Sequence, residues 1–149
     1  MVKIEEEIQQ KSFHSSQQKA IVNLLYTQGI IGTKQHHALK PFGLSIQQFN
    51  LLRILRGQYP NPASVKLLTE RMIDKMSNAS RLVDKLLSKG LVERKSNEID
   101  RRQVDIVLSE KGISILKSAS KVMDGIMESF PLSDTEAEQL SVLLDKLRG

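Results

Sequence analysis

Ser77, Asn78 and Ser80 place three short hydrogen-bonding side chains close together, and Arg81 and Lys85 follow with long cations. Hydroxyls and amides of this reach can contact base edges or phosphate oxygens, and a guanidinium can grip phosphate or guanine through two parallel hydrogen bonds. Further along, Asp100, Arg101 and Arg102 add a carboxylate and two more cations. Counted at helical spacing, the first set lies opposite Met76, Ala79, Leu82, Val83, Leu86 and Leu87, which draw one apolar stripe down a helix. One side of this helix is therefore expected in a core. The other can reach into a DNA groove.

The surrounding chain supplies the elements that hold such a helix. Asp74 stands where its N-cap is expected, and only Ile73 and Asp74 separate it from a shorter helix over 65–72, which Ser64 can cap. Two short helices joined so tightly form a helix-turn-helix. Before them, Ser45 and Gln48 make an S-x-x-Q capping box that opens a helix from 46 to about 56, packing through Phe49, Leu52 and Leu55. Gly57, Pro60 and Pro62 then break the chain. After them, Gly90 tolerates the left-handed φ at a helix end, Leu91 and Val92 begin a strand, and Ser96-Asn97 mark a turn. Arg102, Val104, Ile106 and Leu108 alternate with Arg101, Gln103, Asp105 and Val107 as the two faces of a second strand. Helix, strand, turn and strand compose a winged helix, and its two arginines sit at the base of the turn, aimed at phosphates or a minor groove.

Helices are expected on both flanks. A stretch from 16 to about 39 carries Ile21, Leu24, Leu25 and Ile31 roughly on one face and ends at Pro41 and Gly43. Ser109 caps a long helix whose apolar side holds Ile113, Leu116, Met123, Ile126, Met127 and Phe130, and Pro131 stops it. Ser133 and Glu136 form a second capping box before a last helix bearing Ala137, Leu140, Leu143, Leu144 and Leu147. These stripes exceed what a small domain hides alone. The economical covering is a second copy of the chain, a homodimer.

Composition narrows the function classes. The chain of 149 residues has no cysteine, which removes thiolate metal sites and thiol redox chemistry. Glu5, Glu6 and Glu7 stand where a signal peptide needs cations, and no run approaches the ~20 apolar residues of a membrane span, so a soluble, cytoplasmic chain without membrane contact is expected. The net charge of +5 is uneven: residues 66–102 hold ten Lys or Arg against six Asp or Glu, whereas residues 103–149 hold five against eight. A basic excess over the candidate contact segment is the footprint of a polyanion partner, although residues 1–65 also sum to +4. No catalytic site is expected: His14-Ser15-Ser16 lacks a nucleophile motif, His36 and His37 are adjacent and cannot face one metal, and there is no Gly-rich phosphate loop. Neither a cofactor nor a metal is expected.

Taken together, Gly43-Leu44-Ser45 with Gln48, Leu68-Thr69-Glu70-Arg71-Met72, Ser80-Arg81-Leu82-Val83-Asp84-Lys85-Leu86, Gly90-Leu91-Val92-Glu93-Arg94, Asp100-Arg101-Arg102 and Leu108-Ser109-Glu110-Lys111-Gly112 resemble the MarR family of bacterial winged-helix transcription regulators. Ile73 departs from the glycine many relatives carry in the helix-turn-helix turn, and Ala79 from a larger β-branched residue. The resemblance implies a mainly α fold with a small β wing, forming one domain: a winged helix-turn-helix over 45–108, with dimerisation helices over 1–42 and 109–149. It implies a homodimer whose helix over 75–89 enters the major groove of a pseudo-palindromic operator in double-stranded DNA. It further implies that Arg102, braced by Asp100, enters the flanking minor groove, where a narrow groove's negative potential favours arginine. A ligand-responsive repressor follows as the expected function, with a small aromatic or anionic effector near the junction of the N-terminal helix, 42–48 and the winged helix. The alternative is a winged-helix module that binds protein without DNA; it would cover the face of Ser77, Asn78, Ser80 and Arg81 with apolar residues.

Overall fold

In the computed structural model, which describes residues 2–96 and 104–149, side-chain caps set most element boundaries. A single turn, α1 (Ile4–Glu7), precedes the long α2 (Ser16–Leu39), which starts where Ser15 accepts a hydrogen bond from the Gln18 amide. A 3-10 turn at Lys40–Phe42 contains Pro41 and redirects the chain into α3 (Ile46–Gln58). The expected capping box is present: the Gln48 amide donates to Ser45 Oγ and the Ser45 amide to Gln48 Oε1, both at 3.1 Å. α3 runs past the expected end near 56, because Gly57 lies on its exposed side, where a missing side chain removes no packing.

Ser64 caps α4 (Val65–Arg71), Asn78 caps α5 (Ala79–Ser88), Ser109 caps α6 (Glu110–Glu128), and the box of Ser133 and Glu136 opens α7 (Asp134–Arg148). Such caps contribute about 1 kcal/mol each. α5 ends in a Schellman arrangement, in which the Leu91 amide donates to the Leu86 carbonyl and the Gly90 amide to Leu87. Gly90 takes φ +68° there, a conformation strained for any residue with a Cβ.

Two strands form the wing, β2 (Val92–Ser96) and β3 (Val104–Leu108), antiparallel with Val92 opposite Leu108 and Ser96 opposite Val104. A third strand escapes the sequence reading. Ala63 and Ser64 pair antiparallel with Ile106 and Asp105, so the sheet order puts β3 in the middle and the two-residue strand, β1 (Ala63–Ser64), at one edge.

α3 is the centre of the molecule, packing against α2, α4, α5, α6 and β3. Its Phe49, Leu51, Leu52, Ile54 and Leu55 share one core with Leu39, Leu68, Met72, Val83, Leu86, Leu91, Ile106 and Leu116. Each fully buried aliphatic side chain contributes about 1.5–3 kcal/mol relative to exposure. The flanking helices are different. α7 has no buried residue, and Leu39 is the one buried residue of α2 among those described.

Candidate nucleic-acid interface

The helix expected over 75–89 is shorter than the stripe suggests. α5 begins at Ala79, with Asn78 Oδ1 accepting from the Arg81 amide at 3.0 Å, and Asp74 caps a separate turn instead of the helix. Asp74 Oδ1 accepts from the Met76 amide at 3.0 Å and Oδ2 from Ser77 Oγ at 2.9 Å, while its carbonyl accepts from the Ser77 amide. An aspartate two residues before its amide donor forms an Asx turn, and this local closure competes with helix. Met76 consequently leaves the buried stripe and is 93% exposed, with Ile73 beside it at 83%. The rest of the stripe holds: Ala79, Val83 and Leu86 are buried, and Leu82 and Leu87 pack against the core.

The turn is anchored to α3. Asn50 Oδ1 accepts from the Ile73 amide at 3.1 Å, and Gln47 Nε2 donates to Asp74 Oδ2. The Lys75 ammonium folds back onto the Glu70 carbonyl at 2.6 Å and thereby occupies an acceptor at the end of α4. Ser77 is half-buried, while Asn78, Ser80, Arg81 and Lys85 are exposed together at the start and along the outer side of α5. Among the described residues, no side chain bonds to the side chains of Arg81 or Lys85, so both cations are available to an external anion. Asp84, on the same side, pairs with Arg94 of β2 at 2.6 Å, which ties α5 to the wing. Asp100, Arg101 and Arg102 lie outside the described residues.

Hydrogen bonds from the Ser77 hydroxyl first, then from the Met76 amide and Gln47, hold the Asp74 carboxyl below its ordinary value of 3.8. The Ser133 amide and hydroxyl do the same for Glu136. A depressed folded-state pKa means stability that is complete above the unfolded value and is lost as pH falls through the folded one. Melting temperature should therefore be insensitive to these carboxylates down to about pH 5 and fall progressively below it. Asp74→Asn should melt lower at neutral pH and lose less in acid, as followed by circular dichroism.

An effector is expected near the junction of α2, 42–48 and the winged helix. Leu39, Leu44 and Gln48 are buried there, and the Lys89 ammonium reaches the Gly43 carbonyl at 2.5 Å and Gln48 Oε1 at 3.0 Å. An open cleft of about 630 Å³ lies between α3 and α6, lined by Arg53, Arg56, Ile113, Leu116, Lys117 and Ser120. Three cations over two aliphatic side chains suit an anion with an apolar body.

The site is a polar, cationic helix start, held by a helix-turn-helix and coupled to a two-stranded wing. The profile of the MarR family matches residues 44–104. The HTH-type transcriptional regulator MgrA of Staphylococcus aureus is 31% identical over 109 residues, covering 72% of this chain and 72% of MgrA. The chain belongs to the MarR family. MarR-family proteins are non-enzymatic DNA-binding transcription regulators, and this regulator shares their fold. It superposes on the organohalide-sensing regulator RdhR-CbdbA1625 in its 2,4-dichlorophenol-bound form with a TM-score of 0.81 at 22% identity, over 93% of this chain and 85% of that one. The S. aureus MepR–DNA complex gives 0.75 at 20% identity, over 89% and 96%. Among the described residues of this MarR-family chain, no helix is long and apolar enough to cross a membrane.

Proposed function

We propose that this MarR-family protein is a ligand-responsive repressor that binds a pseudo-palindromic operator as a homodimer, with one α5 in the major groove of each half-site. The observation that carries the reading is the shared exposure of Asn78, Ser80, Arg81 and Lys85 on the outer side of α5, opposite its buried stripe. Helix N-termini so placed bring side chains to base edges, and free cations beside them bring phosphates. The dimer is supported by apolar side chains that the single chain leaves uncovered on α2 and α7. Effector control is supported by the cationic cleft between α3 and α6, and by a relative that binds 2,4-dichlorophenol.

Selection of binding sites from random duplex DNA tests the reading directly: it should return an inverted repeat, and affinity should fall steeply with salt through counterion release. Arg81→Ala should weaken operator binding by about 1–3 kcal/mol per half-site if the guanidinium grips a base, and evenly over all sequences if it holds phosphate. Replacing Ser77, Asn78, Ser80 and Arg81 together without loss of operator affinity would rule out α5 as the reading helix.

The two wing arginines separate by flank composition. Arg102→Ala should lower operator affinity and relax a preference for A·T-rich flanks, while Arg101→Ala should cost less and act alike on all flanks. Titration of both variants against A·T-rich and G·C-rich flanks decides between them, and a larger flank-dependent loss for Arg101→Ala would reverse the roles.

A further inference from the structure

Ile73 and Met76 are the two most exposed large apolar side chains of the described chain, at 83% and 93%, and both sit on the turn immediately before α5. Their exposure is imposed by hydrogen bonds on either side of them. Asn50 of α3 fixes the Ile73 amide, and the Asp74 carboxylate fixes the Met76 amide and the Ser77 hydroxyl. Had α5 begun near 75, Met76 would have shared the buried stripe with Ala79 and Val83; the Asx turn at Asp74 prevents that and presents the thioether outward.

The surroundings of this apolar pair say what can cover it. Asn78, Ser80, Arg81 and Lys85 follow it in the chain, all exposed and net basic, and the N-terminus of a ten-residue helix adds partial positive charge. A partner that is apolar at one point and anionic all round is the major groove at a thymine, where the 5-methyl group stands among phosphates. We propose that Met76, flanked by Ile73, reads thymine through its 5-methyl group at the edge of each half-site. The inference rests on the DNA-binding reading above and adds a specificity contact made without a hydrogen bond. Methionine suits this role because its unbranched, polarizable side chain adapts to a small apolar target.

The test uses duplexes that the full-length wild-type protein enriches from a random pool, resynthesised with deoxyuridine in place of thymine. That change removes the methyl group and leaves the pairing and O4 acceptor intact. Selected half-sites should contain a thymine at a fixed position. Deoxyuridine there should weaken wild-type binding about three- to tenfold per half-site. Met76→Ala and Met76→Gln should lose the same factor on the thymine duplex and nothing further on the deoxyuridine duplex, with melting temperatures unchanged because the side chain is exposed. Ile73→Ala should lose less. Equal wild-type affinity for the two duplexes overturns the proposal, as does a Met76→Ala loss of the same size on both, or no loss on either, which would assign the patch to a protein partner. A wild-type protein that enriches no duplex at all overturns the DNA-binding reading, and the contact with it.

Discussion

Gly112→Ala should lower the stability of the protein by about 3 kcal/mol or more, a fall in melting temperature of roughly 10 °C. Gly112 lies in the first turn of α6, where Ser109 Oγ accepts from its amide at 2.9 Å and donates to the Gly90 carbonyl at 2.7 Å. The two bonds draw the start of α6 against the end of α5. The Leu91 carbonyl oxygen would stand 2.0 Å from a Cβ built on Gly112, and the Leu91 carbonyl carbon 3.0 Å. Backbone cannot swing aside as a flexible side chain can, and Leu91 is bound at its amide to Leu86 and at its carbonyl to the Ser109 amide. Gly57→Ala is the matched control. Its Cβ meets only the end of the Arg71 side chain at 3.9 Å, on an exposed helical position, so it should stabilise by about 0.5–1 kcal/mol. Equal melting temperatures for Gly112→Ala and the wild type would show that the α5–α6 junction yields freely.

Deleting residues 133–149 should convert the protein from a dimer at micromolar concentration to a monomer, weakening association on the order of a thousandfold or more. α7 buries no residue in the single chain, and Leu140, Val142, Leu143 and Leu147 remain 45%, 56%, 62% and 53% exposed. α2 repeats the pattern with Ile21, Leu25 and Ile30. Apolar side chains exposed together on two long helices suit an association surface, and a second copy of the chain is the economical cover. Leu143→Glu with Leu147→Glu keeps the chain length and should act in the same direction. Equilibrium sedimentation reads the result; a monomer for the intact chain, or a dimer undisturbed by deletion, would place the dimer contact elsewhere or remove it.

The parts of the fold that were legible in the sequence are those settled within a few residues. Ser45 with Gln48, Ser133 with Glu136, and the caps Ser64 and Ser109 each bond within three positions, so the residue type suffices. The start of α5 was misplaced for the same local reason turned round. Asp74 has the chemistry of an N-cap, but its carboxylate closes a turn onto Met76 and Ser77, and Asn78, four residues later, takes the cap. Met76 keeps helical spacing with Ala79 in sequence, so periodicity alone could not separate it from the stripe. β1 was out of reach because two residues show no alternation; it exists through its pairing with β3, more than forty positions away. Among the candidate contact residues, Ser80, Arg81 and Lys85 stand on the exposed side of α5 as read, while Asn78 serves the helix start as well. The Asp84–Arg94 pair had no sequence signal, since it depends on how β2 crosses α5.

That two-residue strand has a mechanical meaning. Ser64 pairs with Asp105 of the wing through its backbone while its hydroxyl caps α4, and Arg94 clamps the other wing strand to α5. The helix-turn-helix and the wing are riveted at both ends, like one jaw of a caliper. On the proposed effector-controlled dimer, a ligand wedged at the cleft between α3 and α6 would push where jaw meets handle, altering the gap between two jaws and leaving the shape of each jaw alone.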